Sequence, residues 1–144
     1  MTLQSMVEEF FASGRDAAVS SDPAQLHTFR ITTKHLRYTI EITKPKQAKR
    51  RLEKLKNIQD LLGNMNDAVV AETYLRQFPS LSTKASKLPE NLQSKVTKHI
   101  AEFRNYWMTN FEVVGRMEDW LEWAAEVDAA QLSVKPRSLP KRFD

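Results

Sequence analysis

Cysteine is absent from this 144-residue chain, which excludes disulfides, thiol catalysis and thiolate zinc sites. Glycine is scarce, at three residues, and no Gly-rich phosphate loop is present, so a nucleotide cradle of the P-loop kind is excluded. No apolar run approaches the roughly 18 residues needed to span a membrane. Met1 to Phe11 lacks the basic start and long apolar stretch of a secretory leader. These absences predict a cytoplasmic protein with no membrane partner. Metal chemistry is poorly supplied as well. On one helix His27 and His35 would lie about 12 Å apart along the axis, too far to share an ion. No Glu-x-x-His pair occurs, so a di-iron bundle site lacks its imidazoles. The sequence shows no Ser–His–Asp arrangement, and no carboxylate cluster that would hold a hydrolytic metal beside its cations. The expectation is no metal, no cofactor and no catalysis.

What remains is a helical pattern. Few glycines, strong 3.6-residue periodicity and few β-branched runs predict an all-α chain, an antiparallel bundle of about five to six helices. A first helix is expected over about Leu3 to Val19, with Met6, Val7, Phe10, Phe11 and Ala18 inward. Asp22 then offers an N-cap and Pro23 a first helical position. The second helix runs to about Thr43, where Pro45 blocks continuation. A third is expected over Lys46–Leu62, with Leu52, Leu55, Ile58 and Leu62 as its seam. Gly63 reads as a left-handed cap, Asn64 as the cap of a fourth helix over Met65–Gln77. Ser80 to Glu90 reads as a loop. Helix resumes near Leu92 and passes through Ile100, Phe103, Trp107 and Phe111, with Gly115 as a kink or a break before Trp120, Leu121, Trp123 and Ala124. Residues 1–132 are expected to form the bundle, and 133–144 a poorly ordered tail.

Charge is unevenly placed along this pattern. Between Pro23 and Asp60 there are ten Lys or Arg against three Asp or Glu; the rest holds twelve against fifteen. Within the basic segment, His27, Arg30, Lys34, Arg37 and Glu41 follow one another at steps of 3, 4, 3 and 4, a single stripe on a helix. A second stripe, Leu26, Phe29, Thr33, Leu36 and Ile40, lies about 100° away and is apolar. Cations in a row repel one another, so the arrangement is costly unless carboxylates or a polyanion answer it. Arg offers a planar fork for phosphate oxygens and Lys a mobile point charge. The rise from His27 to Arg37 is about 15 Å, which suits an extended polyanion better than one phosphate. His27 reads either as an imidazolium donor to phosphate or as a structural histidine paired with Asp67 or Glu41.

Two motifs carry a resemblance. His27-x-x-Arg30-x-x-x-Lys34-x-x-Arg37-Tyr38, preceded by Asp22-Pro23, resembles the first signature of the CHAD domain, the conserved-histidine α-helical domain. Leu55-Lys56-x-Ile58-Gln59-Asp60-x-Leu62-Gly63-x-x-Asn66-Asp67 resembles its second. The resemblance implies a helical bundle that binds inorganic polyphosphate on a basic surface, without catalysis. Family members accompany polyphosphate metabolism or are fused to triphosphate-handling CYTH domains. It further implies an anion site of His27, Arg30, Lys34, Arg37 and Lys56, supported by His35, Tyr38, Gln59 and Asp67, with Asp67 orienting a cation of the stripe. His35 stands where the family commonly has a second Arg or Lys. A typical CHAD domain holds two such bundles about an approximate two-fold axis, whereas this chain holds one signature set and resembles one half. A C2 homodimer would restore the second half; a longer parent protein would supply it in another way.

Two other readings use the same residues. In the first the stripe binds nucleic acid in general; the lack of basic-aromatic interleaving and of a reading-head motif argues against it. In the second, acidic and basic faces pair between chains, which would draw on Glu118, Asp119, Glu122 and Glu126, otherwise a solvated face. Trp107, Trp120 and Trp123 read as core or interface anchors rather than stacking platforms, and Tyr38 as packing.

Overall fold

The computed structural model describes residues 1–78 and 88–133. Within them the chain forms five helices and no strand: α1 (Leu3–Ala18), α2 (Pro23–Thr43), α3 (Lys49–Gln77), α4 (Leu88–Asn110) and α5 (Arg116–Ser133). The all-α expectation therefore holds. Helix α1 packs on α2, α4 and α5, while α3 packs on α2 and α4. The expected tail lies outside the described residues, apart from Ser133 at the end of α5.

The caps explain where the helices begin and end. Thr2 accepts a hydrogen bond from the Ser5 amide at 3.1 Å, and Asp22 accepts one from the Ala24 amide at 3.0 Å with Pro23 at the first helical position. Asp128 of α5 reaches the same N-terminal end of α1. Its two carboxylate oxygens accept from the Leu3 and Gln4 amides at 2.9 and 3.0 Å, a carboxylate placed where the helix dipole is positive. Arg104 of α4 treats the opposite end of α1, donating to the Ala18 carbonyl at 2.6 Å. Helix α2 ends at Lys44 in the left-handed region (φ 46°), followed by Pro45 and by Gln47 at φ 60°. Two left-handed non-glycine residues cost free energy, and the turn is braced from outside. Trp123 donates to the Lys46 carbonyl at 2.9 Å, and Arg51 to that of Gln47, also at 2.9 Å.

The core is aromatic. The Phe10 ring lies within 5.3 to 6.1 Å of the rings of Phe11, Phe29, Trp107, Phe111 and Trp120. Each such pair contributes about 0.5–1.5 kcal/mol beyond area burial. All three tryptophans are buried, as core anchors. The inward stripe of α2 is the one its spacing predicts: Leu26, Phe29, Thr33, Leu36 and Ile40 are buried, and the Thr33 hydroxyl donates back to the Phe29 carbonyl at 2.9 Å. Trp107 stands on Gly14 of α1, where a Cβ would come within 2.1 Å of the indole.

One expected boundary is absent. Instead of two helices meeting at Gly63–Asn64, α3 is continuous for 29 residues, begins at Lys49 rather than Lys46, and runs through Gly63. Leu55, Ile58, Leu62, Met65 and Ala68 form an unbroken buried row across the glycine. Glycine inside a helix costs about 1 kcal/mol, and burying one more leucine or methionine offsets that severalfold. Helix α4 begins at Leu88, so the expected loop ends sooner than Glu90; its residues 80–87 lie outside the described ones. Pro89 fits the first turn because its missing N–H would find no helical partner there. Gly115, at φ 84°, separates α4 from α5 and does not merely kink one helix.

Candidate functional site

The charged stripe of α2 lies along its seam with α3. These two helices run antiparallel, so Arg37 meets Gln59 while Arg30, about two turns earlier, meets Gly63. His27, Arg30, Lys34 and Arg37 are each half-buried, and Glu41 is exposed. The stripe is thus one contiguous row beside the apolar face, with stems against the bundle and heads toward solvent.

Each cation is held differently. The Arg37 guanidinium is fixed by two bonds: Nε donates to Glu41 Oε1 at 2.8 Å, and Nη1 donates to Gln59 Oε1 at 3.0 Å. Gln59 is a buried polar residue of α3, so burial fixes the acceptor that aims Arg37. The Arg30 Nε donates to the Gln59 carbonyl at 3.4 Å, a long bond, and its guanidinium lies over Gly63. A Cβ at Gly63 would meet the Arg30 guanidinium at 3.5 Å, ordinary contact, so the close approach does not depend on the glycine. Gly63 lies beneath Arg30 and does not end a helix. Lys34 forms no hydrogen bond or ion pair among the described residues. His27 has its Nδ1 buried and without a hydrogen-bond partner.

That orphan nitrogen decides against one sequence expectation. His27 pairs with neither Asp67 nor Glu41; Glu41 is taken by Arg37 and Asp67 is exposed. Nor does Asp67 form an ion pair with any cation of the stripe among the described residues, so the orienting contact expected of it is not made. That work is done by Gln59. His35 and Tyr38 are exposed, Tyr38 at 46%.

Near the end of α2 the seam opens into a groove of about 460 Å³, lined by Arg37, Lys44, Lys49 and Lys56 with Glu41 and Glu53. The structure thus brings Lys56 of α3 to Arg37 of α2, whereas His27, Arg30 and Lys34 continue the row beyond the groove. Lys44 and Lys49 were not singled out by spacing. They arrive through the left-handed turn at Lys44, which folds the start of α3 back against α2. The only sequence signal for them was the density of cations around Pro45.

The family model of the CHAD domain matches residues 1–76, over half of the 144 residues. The chain belongs to the CHAD family. The match covers α1, α2 and nearly all of α3, and so contains both motifs and every residue of the candidate site. Helices α4 and α5, which complete the bundle, lie beyond it. No curated protein and no solved structure matches the chain. No helix among the described residues is long and apolar enough to cross a membrane. A CHAD domain is generally a binding domain, often linked to polyphosphate.

Proposed function

We propose that this CHAD protein binds inorganic polyphosphate, or a similarly extended polyanion, along the α2–α3 seam and does not turn it over. His27, Arg30, Lys34, Arg37 and Lys56 would contact successive phosphoryl oxygens. The observation that carries the reading is the row of four half-buried donors answered by one carboxylate, Glu41, with the His27 Nδ1 left open. The Arg37–Glu41 bond is no obstacle. It joins residues four apart at the surface, with Glu41 41% exposed, and such pairs contribute only about 0.3–0.5 kcal/mol. A phosphate oxygen, which accepts a charge-assisted bond at least as well, displaces it. Gln59 keeps the guanidinium aimed meanwhile.

Two copies of the chain about a two-fold axis would present this seam twice and so give one polymer two contiguous tracks. Sedimentation with and without long-chain polyphosphate tests this part of the reading: a monomer under both conditions removes the dimer.

The decisive experiment for the seam is calorimetric titration with long-chain polyphosphate and with duplex DNA at 50 mM and 200 mM salt. If four or five phosphates are neutralised, affinity falls roughly a hundredfold between the two salts. Arg30→Gln with Arg37→Gln removes two charge-assisted contacts and is expected to weaken binding by at least thirtyfold, about 2 kcal/mol. Equal binding by this variant and the wild type would reject the seam. Tighter binding to DNA than to polyphosphate would transfer the site to nucleic acid.

A further inference from the structure

A concavity larger than the seam groove lies elsewhere among the described residues. A basin of about 620 Å³ lies where the start of α3 meets the start of α5, lined by Lys49, Arg50, Arg51 and Lys54 of α3 and by Arg116 and Asp119 of α5. Five cations face one carboxylate. Arg116 and Asp119 lie beyond the residues that match the CHAD family, so this basin is a property of the whole chain and not of the shared motifs.

Three observations say that the excess charge is not answered from within. First, the carboxylates in reach are spent on one cation: Asp119 accepts from Arg51 Nη2 at 3.0 Å, and Glu126 acts on the same guanidinium. Arg51 is clamped there, with its guanidinium 4.3 Å from the Trp123 ring and 5.5 Å from that of Trp120, and its Nη1 on the Gln47 carbonyl. Its Nε is buried with no partner. Second, the Lys54 ammonium is held below the ordinary lysine range, chiefly by burial and then by Arg116, Arg50 and Arg51, with Asp119 opposing. Three like charges are thus gathered around a half-buried lysine. Lys54 and Arg50 have no hydrogen-bond partner among the described residues that would explain their placement. Third, Ala48 at the N-cap of α3 provides no side-chain hydrogen bond. The first amides of α3 are therefore uncapped, at the end of a helix whose dipole favours an anion, and Lys49, Arg50 and Arg51 of that turn line the basin.

We propose that this basin is a second, separate anion site that takes a compact oligophosphate of two or three linked phosphoryl groups. Its charge excess of four suits a triphosphate and exceeds what a single phosphate can answer. A base would find no platform, because Trp120 and Trp123 are buried and Arg51 lies over their faces. Recognition would rest on the phosphoryl groups alone, so tripolyphosphate and ATP should bind alike. Lys49 lines both the basin and the seam groove, which makes the two neighbours. The oligophosphate could be free, or it could be the end of a longer chain.

The test is titration with tripolyphosphate at low salt, followed by amide chemical shifts, on the wild type and two variants. Lys54→Gln with Arg50→Gln removes two basin cations that make no internal bond, so folding is expected to be preserved; thermal unfolding checks that. Arg30→Gln with Arg37→Gln alters only the seam. The expected result is shifts at Lys49 to Lys54 and at Arg116, at least tenfold weaker binding by the basin variant, and an unchanged affinity in the seam variant. Wild-type affinity in the folded basin variant, or shifts confined to the seam, would overturn the proposal. A parallel titration with long-chain polyphosphate separates the sources. Loss of affinity there in both variants means that a polymer end occupies the basin; loss in the seam variant alone means that a free oligophosphate does. If tripolyphosphate binding depends on the basin while the seam variant still binds the polymer normally, the seam reading fails and this one stands.

Discussion

Gly14 and Gly63 both lie inside helices and both have a large side chain over them, but only the first is required to be glycine, and the two regions follow different rules. Gly14 accommodates the Trp107 indole in a core where a Cβ would come within 2.1 to 2.7 Å of three ring atoms. Gly63 accommodates the Arg30 guanidinium in the seam, where the same added atom would sit 3.5 Å away, in ordinary contact. The core is close-packed, so its clearances are obligatory. The seam is half-wet, and its side chains can give. Close packing is concentrated in the first region and relaxed in the second.

Substitutions can break or sharpen that contrast. Gly14→Ala has the largest expected effect. The indole is wedged among Phe10, Phe11, Phe29 and Phe111 and cannot yield, so overpacking should cost about 3 kcal/mol, read as a lower urea midpoint. Gly63→Ala should act in the opposite direction. It removes the glycine penalty from a continuous helix and stabilises by about 0.5–1 kcal/mol; a loss of stability there would mean that the seam is packed as tightly as the core. Lys54→Gln should have the smallest effect. Arg50 and Lys54 are like charges four residues apart, an arrangement worth a few tenths of a kcal/mol against the helix.

The sign of the pH dependence follows from the lowered pKa of Lys54. Between that value and the ordinary 10.5, the unfolded chain binds more protons than the folded one, so wild-type stability rises with pH in that window. The penalty is fully present at neutral pH. Lys54→Gln should therefore be at least as stable as wild type at pH 7, with the rise toward pH 10 reduced, as measured by urea unfolding at both values. A destabilised variant would show that the ammonium is answered from within after all.

The parts of this fold that were legible in the sequence are those governed by neighbours along the chain. The buried row of α2, the Asp22–Pro23 start and the stop before Pro45 each depend on residues within a turn or two. The row of His27, Arg30, Lys34 and Arg37 was legible for the same reason. What was missed depends on distant partners. Gly63 carries a stop signal that the buried row from Leu55 to Ala68 overrides. Gly14 gives no sign of Trp107. Asp67 looked like the residue that orients a cation, but the antiparallel register of α2 and α3 places Gln59 there instead. The cations from Lys49 to Lys54 were counted as charge and not as a place, because Arg116 reaches them only through the packing of α5.

The grip of Asp128 on the first amides of α1 has a consequence for dissecting the molecule. It joins the opening turn to the last helix described, and Trp107, Phe111 and Trp120 close over Phe10 from the same half. A fragment cut after residue 76 would keep every motif of the family yet leave that phenylalanine facing water and its helix unanchored. The segment matched by the family model is therefore expected not to fold on its own in this protein.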